Sequence, residues 1–198
     1  MRLRSILLPA GLLVLIILVL SSQGAVSQAA QNEPAAIRLL AGTFVPAAGE
    51  QPDIPPGLTI SGYAKGTRGY YIVQFAGPVQ QPWKDQASAA GAQLLDYIPD
   101  FAYKARMNPA QAARVSELES VAWVGLFQPA YKISPNVDVD GMNLLRVQVE
   151  RGVDAGQTTA AIARSGATIL DRSENILLVG ADAAQMQEIA HVLDVAWM

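Results

Sequence analysis

From Gly69 onward, apolar and polar positions alternate in short blocks whose period changes from two to three or four and back. Residues 70 to 76 read as a strand, Pro82 to Ala90 as a helix, and Gln93 to Ile98 and Phe101 to Met107 as two strands around a Pro99-Asp100 turn. Asn108 and Pro109 form an N-cap and first-turn proline, and Ala112, Val115 and Leu118 then share one helical face. Val121 to Val124 is a last strand, which gives the order β-α-β-β-α-β.

The same order recurs. Tyr71-Ile72-Val73-Gln74-Phe75 resembles Leu145-Arg146-Val147-Gln148-Val149 at an offset of 74, and Gly91 to Asp96 matches Gly166 to Asp171 at an offset of 75. Val121-Ala122-Trp123-Val124 then returns to 74 against Val195-Ala196-Trp197-Met198. Near-constant spacing with compensating one-residue changes points to duplication of a folded unit. In the second copy Asp154 caps a helix with Gln157 at the capping-box position and Ile162 on its apolar face. Strands at 167–171 and 175–180 flank a Ser173-Glu174 turn, and Asp182 caps a helix with a Met186, Ile189 and Leu193 stripe. The expectation is an α+β fold of two tandem ferredoxin-like units, 69–125 and 142–198, joined by a linker over 126–141.

Two helices cover one face of a four-stranded sheet and leave the other for solvent or a partner. Strand parity turns Tyr71, Val73 and Phe75 toward the helices and Ile72 and Gln74 outward. In the second copy Arg146 and Gln148 point outward, so the first copy has the less polar open strand. Its sheet is therefore expected to be the docking surface. A half-exposed strand, or packing between the copies, remains the alternative.

The N-terminal segment has a different pattern. Arg2 and Arg4 precede an apolar run from Ile6 to Leu20, and small and polar residues follow from Ser21, as in an export signal over 1–29. An uncleaved anchor is the alternative, although the run is short for a span of about twenty residues. Residues 30–68, with Pro34, Pro46, Pro52, Pro55 and Pro56, read as a flexible or extended leader.

Composition removes most chemistry. With no Cys among 198 residues, disulfide scaffolds, thiol catalysis and thiolate metal sites are excluded. A single His, His191, argues against a Ser-His-Asp triad or a His-based metal cluster. The net charge of -3 gives no support to nucleic-acid binding, and the glycines from Gly57 to Gly69 lack phosphate-loop spacing. No catalytic, metal or cofactor residue is expected, and the chain reads as a non-enzyme. Trp123 and Trp197, at matching positions, read as packing residues.

Tyr70 to Phe75, Val121-Ala122-Trp123-Val124-Gly125 and Gln128-Pro129-Ala130-Tyr131-Lys132-Ile133 together resemble the N-terminal prodomain of secreted subtilisin-like serine peptidases of the fervidolysin type. The resemblance covers residues 69 to 198. It implies a ferredoxin-like, inhibitor I9-like propeptide that packs its open sheet on the peptidase, assists its folding and inhibits it until removed. Ile72 and Gln74 would lie on that docking face, with sheet burial and main-chain strand addition occupying the cleft. Such prodomains carry a substrate-like tail after strand four; Gln128, Pro129, Ala130 and Tyr131 would form such a tail or simply the linker. The Asp, His and Ser motifs of a catalytic domain do not occur. The expected partner is a subtilisin-like peptidase, in cis in a longer product or in trans, outside the cytoplasm. The alternatives are a secreted interaction or structural module and a fragment of an active peptidase.

Overall fold

The described residues form four helices and ten strands. The structure is a computed structural model that describes residues 35–50, 52–138 and 140–198. The expected signal peptide, and residues 30–34 of the expected leader, lie outside the described residues. Strands β1 (Ile37–Leu39) and β2 (Gly42–Phe44) form a hairpin. They are followed by β3 (Gly69–Phe75), α1 (Gln81–Ala89), β4 (Gln93–Ile98), β5 (Ala102–Met107), α2 (Pro109–Ser116) and β6 (Val121–Leu126). A 3-10 turn at Pro129–Lys132 leads to β7 (Asn143–Val149), α3 (Ala155–Ala163), β8 (Thr168–Ser173), β9 (Ile176–Ala181), α4 (Ala183–His191) and β10 (Val195–Trp197).

The chain is mixed α and β, and its two four-stranded sheets share one antiparallel order, β4-β5-β3-β6 and β8-β9-β7-β10. The repeat has a structural counterpart in nearly every element. Gly69–Phe75 and Asn143–Val149 begin and end 74 residues apart, as do Gln81–Ala89 and Ala155–Ala163, and Ala102–Met107 and Ile176–Ala181. Only β4 and β8 are offset by 75, because the second copy has one more residue between its first helix and strand. Three residues separate β4 from β5 and two separate β8 from β9, which restores the register.

The caps repeat too. Asn108 accepts from Gln111 N at 2.9 Å while Gln111 Oε1 accepts from Asn108 N at 2.8 Å. Asp182 and Gln185 make the same reciprocal pair at 2.9 Å each. Asp154 caps α3 through Gly156 N and Gln157 N, but the Gln157 side chain does not close the expected box. Gly91 and Gly166 both follow a helix with positive φ, +110° and +84°. At Gly91 a Cβ would also strike the Gln111 side chain at 2.6 Å.

One core lies between each sheet and its helices. Tyr71, Val73, Phe75, Ala105, Met107 and Val115 build the first, and Leu145, Val147, Val149, Ile162, Met186 and Ile189 build the second. A third cluster lies on the far side of the first sheet, where Ile37, Phe44, Tyr70, Ile72, Ile98, Phe127 and Tyr131 pack together. The leader expected to be flexible therefore supplies a hairpin that shares a core with the first sheet. Pro-rich segments have no helical period, but Ile37 and Phe44 provide apolar anchors that the sheet can bury. Leu58, farther along the leader, enters the core of the second copy.

Truncating Phe44→Ala should therefore cost about 3–5 kcal/mol, the usual range for a large buried aromatic. Denaturant unfolding followed by Trp fluorescence checks this. A loss below 1 kcal/mol would mean that the hairpin does not cover the sheet in solution.

Candidate functional site

The far face of the first sheet is not free. Ile72 is 0% and Gln74 2% exposed, which corrects the expectation that they form an open docking face. Parity does turn both away from the helices, but Gln74 Nε2 donates to Ala35 O at 2.9 Å and Ile72 lies in the third cluster. Lys104 and Arg106, paired in register with Ile72 and Tyr70, share this face and place two cations among its apolar residues.

The second copy supplies the counter-charges. Lys104 forms a buried ion pair with Glu150, and its Nζ lies 4.3 Å from the Phe127 ring centroid and 4.8 Å from that of Tyr70. Tyr70 Oη donates to Asp194 Oδ1 at 2.7 Å, and Arg106 lies 3.8 Å from the same oxygen. Lys132, in the 3-10 turn between the copies, donates to Val192 O at 2.8 Å and Leu193 O at 3.3 Å. The linker also extends the second sheet, since Ser134 N donates to Met198 O and Met198 N to Lys132 O, both at 2.7 Å. Removing Glu150 would leave Lys104 buried without its partner, at a cost of about 3–5 kcal/mol.

Burial lowers the Lys132 ammonium to about 7. The nearby Lys104 charge pushes the same way, against the opposing pull of Glu150 and Asp194. A base depressed in the folded state binds fewer protons there than in the unfolded chain, so folding is favoured as pH rises from about 7 toward 10.5. Tyr70 runs the other way: desolvation, the hydrogen bond to Asp194 and the nearby acidic charges raise its pKa, so its contribution is lost above pH 10. Thermal melts between pH 6 and 10 should show stability rising through this window, and Lys132→Met should flatten the rise. An unchanged slope in the variant would remove Lys132 as the titrating group.

The open face belongs to the second sheet. Leu144, Arg146 and Gln148 of β7 pair with Gly180, Leu178 and Ile176 of β9, all on the side away from α3 and α4. Leu178 and Gly180 stand where Lys104 and Arg106 stand in the first copy, so this strand presents uncharged residues where its counterpart presents two cations. Leu144 is 65% exposed, and Met142, Leu170 and Trp197 add further exposed apolar surface. The extra residue in β8 falls at Leu170, between the paired Ile169 and Asp171, and a Cβ on Gly180 would meet its Cδ1 at 3.9 Å. A cavity of about 390 Å³ runs along this face beside the linker, with Val137, Leu144, Arg146, Ile176 and Trp197 among its walls.

The other sequence candidates have structural roles. The Gln128 side chain accepts from Ile60 N at 2.7 Å and donates to Ile60 O at 3.3 Å, pinning the leader. Pro129 and Tyr131 are buried, and Tyr131 stacks near Phe44 at 6.4 Å and meets Phe127 edge-on at 5.5 Å. Together with Ala130, packed against two of the clusters, they form a buried connection between the copies, which is the linker of the two expected alternatives and not the tail. His191 Nε2 lies 2.8 Å from Gly57 O. Among the described residues, no group of three or more His, Cys, Asp or Glu could hold a metal ion, and no helix is long and apolar enough to cross a membrane.

Comparison with known proteins adds one finding. Residues 38–128 match a family described as a domain of unknown function, DUF8729, over less than half of the chain. The matched span starts inside β1 and ends at Gln128, and so takes in the hairpin together with the first sheet and its two helices. No curated protein matches the chain.

Proposed function

We propose that the chain is a non-catalytic, propeptide-like module of two ferredoxin-like units that binds and inhibits a subtilisin-like serine peptidase and assists its folding. The observation that carries this reading is the uncovered apolar face of the second sheet, on Leu144, Ile176, Leu178 and Trp197, beside a first sheet whose equivalent face is filled. The resemblance of Tyr70 to Phe75, of Val121 to Gly125 and of Gln128 to Ile133 to peptidase prodomains supplies the class of partner. The assigned surface thus moves from the first copy to the second.

The mechanism is binding without bond making. Burial of the second sheet face against the peptidase would remove apolar area from water at roughly 25 cal/mol per Å² and hold the module across the approach to the cleft. Arg146 and Asp171 flank Leu178 in register and would orient the docking through charge. The reading places the protein outside the cytoplasm and requires no cofactor. A secreted interaction module for another envelope protein is the second reading, favoured by the same apolar face, which does not specify a peptidase.

Inhibition of a panel of subtilisin-like peptidases by the full chain, with binding measured alongside, tests the proposal. Leu144→Asp and Leu178→Asp should weaken the complex at least tenfold and leave the circular-dichroism spectrum intact. Ile72→Asp should unfold the first sheet by burying a charge. If the folded chain binds no member of the panel, the peptidase reading is wrong. If Leu144→Asp and Leu178→Asp bind like the parent, the assigned face is wrong.

A further inference from the structure

We infer that β6 is an acceptor edge for an extended peptide segment carrying alternate small apolar and basic side chains. This site is separate from the open face of the second sheet and does not depend on a peptidase partner.

Exposed sheet edges are normally blunted by bulges, charges, short length or a covering segment. Three of the four outer strands of the large sheets follow that rule. In β4 the register shifts between Leu94 and Tyr97, and the intervening Asp96 pairs with Arg151. Strand β8 has its bulge at Leu170, followed by the charged Asp171 and Arg172. Strand β10 spans three residues, and its end is bonded to the linker.

Along its regular part strand β6 has no bulge and no charge, and the 3-10 turn Pro46–Ala48 that packs against it makes, among the described residues, no main-chain hydrogen bond to it. Its sequence, Val-Ala-Trp-Val-Gly-Leu, contains no charge and no proline, and Trp123 to Leu126 keep unbroken register with Gln74 to Tyr71. Phe127 N donates to Tyr70 O at 2.9 Å, which fixes the phase of the ladder. Opposed residues in an antiparallel pair alternate between bonded and non-bonded, so Gly125 and Trp123 aim their main-chain groups at β3. Val124 and Leu126 aim theirs outward, and among the described residues neither has a hydrogen-bond partner on that side.

The two faces beside this edge differ in chemistry. Toward α2, a shallow groove of about 330 Å³ is walled by Ala112, Ala113, Ser116 and Val124 and suits a small apolar side chain. On the opposite face a cavity of about 400 Å³ contains Phe44, Trp123, Tyr131 and Glu50, and among the described residues Glu50 is the one charged residue in its walls. The Trp123 ring lies flat across Gly125, where a Cβ would meet it at 2.1 Å, so the glycine keeps the indole in the cavity. Aromatic rings beside a carboxylate suit the aliphatic stem and cationic head of Lys or Arg. A strand added to β6 would turn successive side chains to these two sides, with main-chain bonds supplying affinity and the cavities specificity.

The test uses the full chain and an acetylated, amidated heptapeptide alternating Lys and Val. Amide hydrogen exchange read by NMR should slow at least tenfold at Val124 and Leu126 on saturation. The same peptide with N-methylated amides along its pairing edge should bind at least tenfold more weakly. Glu50→Gln keeps an acceptor for Val45 N and should weaken the Lys peptide about fivefold while leaving an alternating norleucine-Val peptide unaffected. Unchanged exchange at Val124 and Leu126, equal binding of the N-methylated peptide, or equal binding of a Glu-Val peptide would each overturn the assignment.

Discussion

The architecture depends on a strand that is apolar on both of its faces. All seven residues of β3, Gly69–Phe75, are buried, and two helices can cover only one side of the sheet they pack on. Leaving Tyr70 and Ile72 in water would forfeit roughly 1.5–3 kcal/mol for each large side chain. The opposite side must therefore be filled from elsewhere in the chain, and the hairpin Ile37–Phe44, the buried turn Pro129–Lys132 and the end of β7 meet there. The second copy is thus held to the first by the need to complete its core.

Charge sets the position of that attachment. Apolar surfaces slide over one another at little cost, whereas Lys104 among the Tyr70 and Phe127 rings requires an acid at one place, and Glu150 occupies it. Asp194 fulfils the same role for Tyr70 and Arg106. Breaking such a pair costs more than forming it gains, so its value lies in selecting one arrangement of the copies over others. The second copy has Leu178 and Gly180 at the matching positions and so has no comparable anchor for a cover of its own.

Much of this was legible in the sequence, and the rest fails for identifiable reasons. Helix caps at Asn108 and Asp182, both hairpin turns and the offsets of 74 and 75 are local signals, and the elements follow them. Which sheet face stays open depends on segments distant in sequence. Parity in β3 and β7 alone does not show which face is covered, whereas the same alternation in β5 sets Lys104 and Arg106 beside Ile72 and Tyr70 and so marks that face as one with buried cations. The leader carried no periodic signal because its anchoring residues, Ile37, Phe44 and Leu58, are isolated apolar positions between prolines and glycines. Val124 and Leu126 matter through their main-chain groups, which residue identity does not encode.

The closure of the first sheet by residues from both of its flanks sets an order of events on a growing chain. Ile37 and Phe44 are made first and have no surface to cover until β3 and β6 follow. Tyr70 waits a further 124 residues for Asp194, and Lys104 waits 46 for Glu150. Contacts so distant in sequence form late, after the entropy of closing long loops has been overcome. The first copy can assemble its helices and sheet alone, yet it keeps one apolar, cation-bearing side exposed until Glu150 and Asp194 have been made. Over that interval the emerging chain is sticky, and its maturation is governed by how soon those two acids arrive.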